Sequence, residues 1–112
     1  VGKAANIYQA PAAIVVCANK TKAWKRPFDG KITTDIDASI LTDHMMLEAT
    51  ELGLGSVWIC YFNPDILKEE LNLPENLEPV NILALGYSDE LDASAERHKD
   101  MRIGMDELVS YL

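Results

Sequence analysis

Residues 48–62, EATELGLGSVWICYF, decide how this chain is built. A helix-like run meets two glycines one residue apart, Gly53 and Gly55, and drops at once into an apolar run carrying Trp58, Cys60 and Tyr61. Gly53 suits a left-handed helix cap, because a residue without Cβ takes positive φ at little cost. Gly55 either lets the backbone pass close to something flat or bulky, or merely completes a tight helix-to-strand turn. The spacing leaves both open. In the first case the backbone from Trp58 to Tyr61 borders a cleft, and its N–H and C=O groups suit a planar ring with hydrogen-bonding edges.

Upstream, the spacing predicts a helix over about 35–52. Thr34 with Asp37 three residues later resembles a capping box, and acidic residues in the first turn suit the helix dipole. Ala38, Leu41, Met45, Ala49 and Leu52 form one apolar stripe, while Ile36, Ile40 and Leu47 form a second on roughly the opposite side. A surface helix of a monomer needs one such stripe. Two imply packing on both sides, by the helix's own sheet and by something else, of which a second subunit is the simplest candidate.

Three apolar runs read as strands: 11–19, 56–62 and 80–87. Between the last two, residues 63–73 read as a helix with Asn63 as N-cap and Pro64 at its first position. Residues 74–79 read as a loop, 88–96 as an acidic loop leading to the basic RHKDMR, and 105–112 as a short closing helix. Strand, helix, strand, helix, strand makes a two- or three-layer arrangement of helices and sheet, with strand directions left open.

At 112 residues the chain is expected to be one domain. With 48% hydrophobic residues it is globular rather than disordered. Its apolar runs are too short to cross a bilayer. The start has the look of neither a signal peptide nor a complete amino terminus, so the expectation is a portion of something longer. A net charge of −8 argues against nucleic-acid or anionic-membrane partners. The basic residues are nonetheless concentrated: Lys20, Lys22, Lys25, Arg26 and Lys31 in one island, Arg97, Lys99 and Arg102 in another. Each island reads either as an ordinary solvated loop or as a seat for a small anion. Cys17 and Cys60, both inside apolar runs, read as buried thiols of a reducing compartment. No His/Cys spacing resembles a zinc site.

Acid–base or nucleophilic chemistry finds no foothold. His44 sits on a helix flank and His98 in a basic loop, neither beside a nucleophile in a sharp turn. His44 reads as an interface or surface residue. Cys60, whose apolar neighbours Ile59 and Trp58 would raise rather than lower a thiol pKa, reads as a buried spectator. The GLGS turn follows a helix and precedes a strand, the reverse of a dinucleotide-binding fingerprint.

Residues 35–64 (DIDASILTDHMMLEATELGLGSVWICYFNP), 71–87 (LNLPENLEPVNILALGY) and 97–109 (RHKDMRIGMDELV), with WKRPFDGK at 24–31, resemble the nitroreductase family of FMN-dependent NAD(P)H oxidoreductases, most of all its short members. The resemblance implies an α+β fold with a central β-sheet flanked by helices, built as an intertwined cytoplasmic homodimer with two FMN sites at its interface. It implies that the strand after the glycines runs along the isoalloxazine ring, with the backbone of Trp58, Ile59, Cys60 and Tyr61 near N5. It matches Arg102 to the family's late phosphate-binding residue, assisted by Lys99 or His98. A forked, always-charged guanidinium suits that dianion. The implied reaction is ping-pong: NAD(P)H gives hydride to flavin N5, and a nitroaromatic, quinone or similar acceptor takes it, with no side-chain acid or base required. The family's Arg-rich amino-terminal segment and the Pro-Ser-containing segment after it have no counterpart here. A non-catalytic flavin-binding or dimerisation module is the alternative.

Overall fold

The β-branched run at the start and the polar-interrupted run near residue 80 find each other across most of the chain. In the computed structural model, which describes residues 9–89 and 93–112, Ala12–Asn19 (β1) pairs antiparallel with Leu77–Gly86 (β3). Gly55–Ile59 (β2) pairs antiparallel with the other side of β3, giving a three-stranded sheet of order β1-β3-β2. The long helix Thr34–Glu51 (α1) lies across all three strands, and Pro64–Glu70 (α2) packs against β3. Two short helices, Arg97–Met101 (α3) and Met105–Leu108 (α4), follow. With every strand antiparallel and the helices outside the sheet, this is the expected α+β class.

Local chemistry explains most boundaries. Gly53, at φ 73°, ends α1 in the left-handed region. Asn63 caps α2, its side-chain oxygen accepting from Asp65 N at 3.0 Å and Ile66 N at 3.2 Å. The cap of α1 differs from expectation. Thr33 rather than Thr34 occupies the N-cap, its side chain makes no capping bond, and its hydroxyl lies 3.4 Å from the Asp37 carboxylate. β3 begins three residues earlier than expected and takes in Pro79, which the sequence placed in a loop. A central-strand proline gives no ladder N–H, and the sheet absorbs this with a bulge: β1 steps from Val16 opposite Asn81 to Cys17 opposite Pro79.

The core lies between α1 and the middle strand. Leu83 is 0% exposed and shares its face with Trp58, Asn81 and Val16 through the register. From the helix come Ala38, Thr42 and Ala49, all buried. At about 100° per residue these three point roughly 160° away from Ile36, Ile40 and Leu47. Two opposed faces therefore exist, as expected. The buried one is rotated by about 40° from the predicted stripe, so Leu41 and Leu52 are exposed and Thr42 occupies the core.

Thr42 is tolerated there because its hydroxyl is satisfied. Its oxygen lies 2.8 Å from Ala38 O and 3.0 Å from Asn81 Oδ1, joining helix to middle strand. Thr42→Val is expected to cost about 1–3 kcal/mol, since it strands a buried amide. The double variant with Asn81→Leu should recover part of that loss. Chemical denaturation of both singles and the double checks this; strictly additive losses would count against the pairing.

Candidate functional site

β2 is an edge strand among the described residues, so alternate N–H and C=O groups along it face away from β3. Its apolar sequence leads to a strand, yet pairing with β3 stops at Ile59, opposite Ile82. Cys60 and Tyr61 then leave the sheet. Tyr61 is 100% exposed, and Cys60 is exposed rather than buried, correcting the expected strand end and the expected buried thiol. The reason is Asn63 and Pro64: α2 must start there, and three residues are needed to turn out of the sheet. Tyr61, Phe62, Asn63, Pro64 and Asp65 line an open depression of ≈ 540 Å³ at this exit.

The side chain of Trp58 points to the α1 face, beside Leu83, while Val57 and Ile59 point to the other face. The indole Nε1 is buried with no hydrogen-bond partner among the described residues, as is Asn81 Nδ2. Gly55, at the far end of β2, sits opposite Gly86. A Cβ on Gly86 would lie 2.9 Å from Pro11 Cδ, so the second glycine of that pair makes room for the chain entering β1.

Lys99 and Arg102 lie elsewhere. Lys99 is on α3, where it pairs with Glu96 four-square on its own turn, and exposed Arg102 follows the helix in extended conformation. α3 differs from the expectation of a basic loop at these residues. His98 is exposed, its pKa lowered first by the neighbouring Arg97 charge, then by partial desolvation and by Arg102. Among the described residues neither α3 nor α4 packs against the sheet or against α1. The predicted ring-edge residues, on and just after β2, and the predicted phosphate-binding residues, on and just after α3, thus belong to elements that do not pack together.

The other basic island is ordered. Lys25 bridges to Ile32, Arg26 N donates to Lys31 O at 2.9 Å, and Gly30 N donates to Arg26 O at 2.9 Å. Arg26 grips Asp29 through both Nε (2.8 Å) and Nη2, and this holds the Asp29 carboxyl below its usual pKa. At the loop's base Lys20 meets Glu78 at 3.2 Å, and Lys68 of α2 meets the same carboxylate at 3.4 Å. These cations, Lys20 first, hold Glu78 low. Cys17 is half-buried, and burial, then the Glu78 charge, pushes its thiol up. His44 is exposed on α1. No cluster of metal-ligating side chains and no helix long and apolar enough to cross a membrane occurs among the described residues.

A sequence model of the nitroreductase family matches residues 1–87. The chain is similar to a nitroreductase family protein of Clostridium difficile, with 64% identity and a TM-score of 0.91, covering 98% of this chain and 64% of that one. It is similar to an FMN-dependent nitroreductase of Clostridium difficile R20291, with 32% identity and a TM-score of 0.64, covering 84% of this chain and 57% of that one. It is also 40% identical, over 88 residues, to an Archaeoglobus fulgidus protein whose name ascribes to it an NADH dehydrogenase/NAD(P)H nitroreductase activity. That match covers 74% of this chain and 48% of the relative, so the chain spans about half the length of the curated relatives it matches.

Proposed function

Since this chain belongs to the nitroreductase family, we propose that it is the single-domain part of an FMN-dependent oxidoreductase that carries the ring-edge strand. The observation that supports this most is the outward edge of β2, running into exposed Cys60 and Tyr61. A flat ring edged with nitrogens and oxygens fits such a ribbon: backbone donors and acceptors at fixed spacing, with side chains directed above and below. Trp58, Ile59, Cys60 and Tyr61 would hold the ring, and Arg102, with Lys99, its phosphate. When bound, FMN supplies the hydride-accepting and hydride-donating centre at N5, between NAD(P)H and a nitroaromatic, quinone or similar acceptor in ping-pong order. The chain's own contribution is orientation and ring-edge hydrogen bonding.

The homodimer belongs to the same reading. Ile40 (53% exposed) and Leu47 (64% exposed) lie on the α1 face opposite the core, with Ile36 beside them. The arm after residue 96 presents Met101, Ile103, Met105, Leu108 and Tyr111 to solvent. The radius of gyration is 17.3 Å, against about 13 Å for a compact domain of this length. An unpacked apolar arm and a bare helix face are what a second copy would cover.

The test is a visible absorption spectrum of the purified protein, before and after NADPH or NADH without oxygen. A flavin band near ~450 nm that bleaches, and returns on adding an acceptor, supports the enzyme. Bound flavin that neither nucleotide reduces supports the alternative, a non-catalytic flavin-binding or dimerisation module. A colourless protein that takes up no added FMN overturns both.

A further inference from the structure

The loop at residues 20–33 presents charge and aromatic surface that nothing in the fold uses. Its one acid, Asp29, is consumed by Arg26, and its first lysine, Lys20, by Glu78. Lys22, Lys25 and Lys31 are left without an acidic partner among the described residues, on a chain of net charge −8. Between them stand Trp24, 59% exposed, and Phe28, 96% exposed at the turn. These rings are held out by structure: the Arg26–Asp29 clamp, the Lys25–Ile32 bridge, and a Gly30 at φ 71° with the Lys25 stem lying across it, 3.1 Å from where a Cβ would be. An ordered loop that keeps large rings in water forgoes the stabilisation that burying them would bring. Lysines interleaved with exposed rings suit an aromatic ligand that carries phosphate.

The register says how far this surface lies from the ring edge. β1 and β2 both run toward the end of the sheet where β3 begins, so the loop after Asn19 and the exit after Ile59 leave at the same end. Asn19 is opposite Leu77 and Ile59 opposite Ile82, an offset of five residues along β3. Five residues at ~3.3 Å, and two strand spacings of ~4.8 Å, put the loop base about 19 Å from the exit. That is too far for a one-ring acid, whose charge sits beside its own reacting group. It is within the span of an extended dinucleotide.

We propose that the loop at 20–33 holds the adenosine end of the reducing nucleotide, Lys22, Lys25 and Lys31 receiving its 2′-phosphate and Trp24 or Phe28 stacking on adenine, so that NADPH is preferred to NADH. The proposal rests on the oxidoreductase reading for its donor, but the contacts it names need no flavin. The phosphate adds a dianion at a place where three lysines are otherwise unpaired. Stacking serves both nucleotides alike.

Titration calorimetry with adenosine 2′,5′-bisphosphate and adenosine 5′-monophosphate separates these contributions. The bisphosphate is expected to bind about tenfold more tightly, and the gap to shrink with salt. K22Q/K25Q/K31Q should erase that gap and raise the NADPH KM about tenfold, leaving the NADH KM and kcat in place. All three side chains are exposed, and an unchanged thermal midpoint would exclude misfolding. Trp24→Ala with Phe28→Ala should weaken both adenosine ligands alike. Equal binding of the two ligands by the unaltered protein overturns the proposal, as does a gap that survives in the triple variant. Loss of 4-nitrobenzoate affinity in the triple variant, with nucleotide affinity kept, also overturns it, because the lysines would then serve an anionic acceptor. A lysine-dependent gap in a protein that binds no flavin leaves this inference standing and sinks the oxidoreductase.

Discussion

Ile40→Glu together with Leu47→Glu is expected to abolish the dimer proposed above, weakening self-association by at least about a hundredfold. Both residues are more than half exposed on the face of α1 opposite the core, so neither belongs to the core of its own chain. Glutamate is also a good helix former, so α1 itself should be unharmed. If a second copy covers this stripe, each substitution removes an apolar anchor and buries a carboxylate with no partner, and that charge is what makes the effect large. Light scattering across a dilution series reads the outcome. Monomers with an unchanged circular dichroism spectrum are expected, and dimers that persist would move the interface elsewhere. If the FMN sites lie at that interface, the same variant should also lose its flavin band.

Leu83→Ala is expected to lower stability by about 2–5 kcal/mol, the range for removing a fully buried leucine side chain. The site explains why the upper half of that range applies. Leu83 is 0% exposed and sits in the middle strand, opposite Ile14 on one side and Trp58 on the other, beneath α1. A cavity there is walled by sheet backbone on both flanks and collapses poorly. Against a typical total of about 5–15 kcal/mol, the loss is a large share of what holds the chain together. The check is the thermal midpoint at matched protein concentration, because association adds to apparent stability. A drop of only a degree or two would mean that the region around Leu83 relaxes freely.

The first variant alters the outer face of α1 and the second the strand beneath its inner face, and the sequence disclosed the two faces unequally. α1 falls within one residue of the expected span, because Gly53 and the acidic first turn are local signals. That it carries two apolar faces was legible from spacing. Which residue sits at the centre of the buried face was not, since Thr42 counts as polar until its hydroxyl is seen between Ala38 O and Asn81. The end of β2 differs from the expected one for a related reason. Hydropathy runs on through Cys60 and Tyr61, but a strand lasts only as long as its partner, and α2 begins too soon to allow two more pairs. Pro79 argued for a loop, and only the bulge opposite Cys17 shows how a middle strand accommodates it. Of the candidate site, the turn into β2 was legible from Gly53 and Gly55, while the role of residues 58–61 came from the family resemblance alone. The separation of Lys99 and Arg102 from those residues depends on where an unpacked arm is carried, which no short-range pattern encodes.

The strand pairings also bear on the order in which the sheet is assembled. Joining β2 to β3 links Ile59 to Ile82 and Gly55 to Gly86, separations of 23 and 31 positions spanned by one capped helix. Joining β1 to β3 links Ala12 to Leu85, a separation of 73. The longer closure costs about 1 kcal/mol more in chain entropy, a modest bias that compounds with the preformed turn at Asn63. The carboxyl-side hairpin is therefore the natural nucleus, and β1 is the latecomer that completes the sheet.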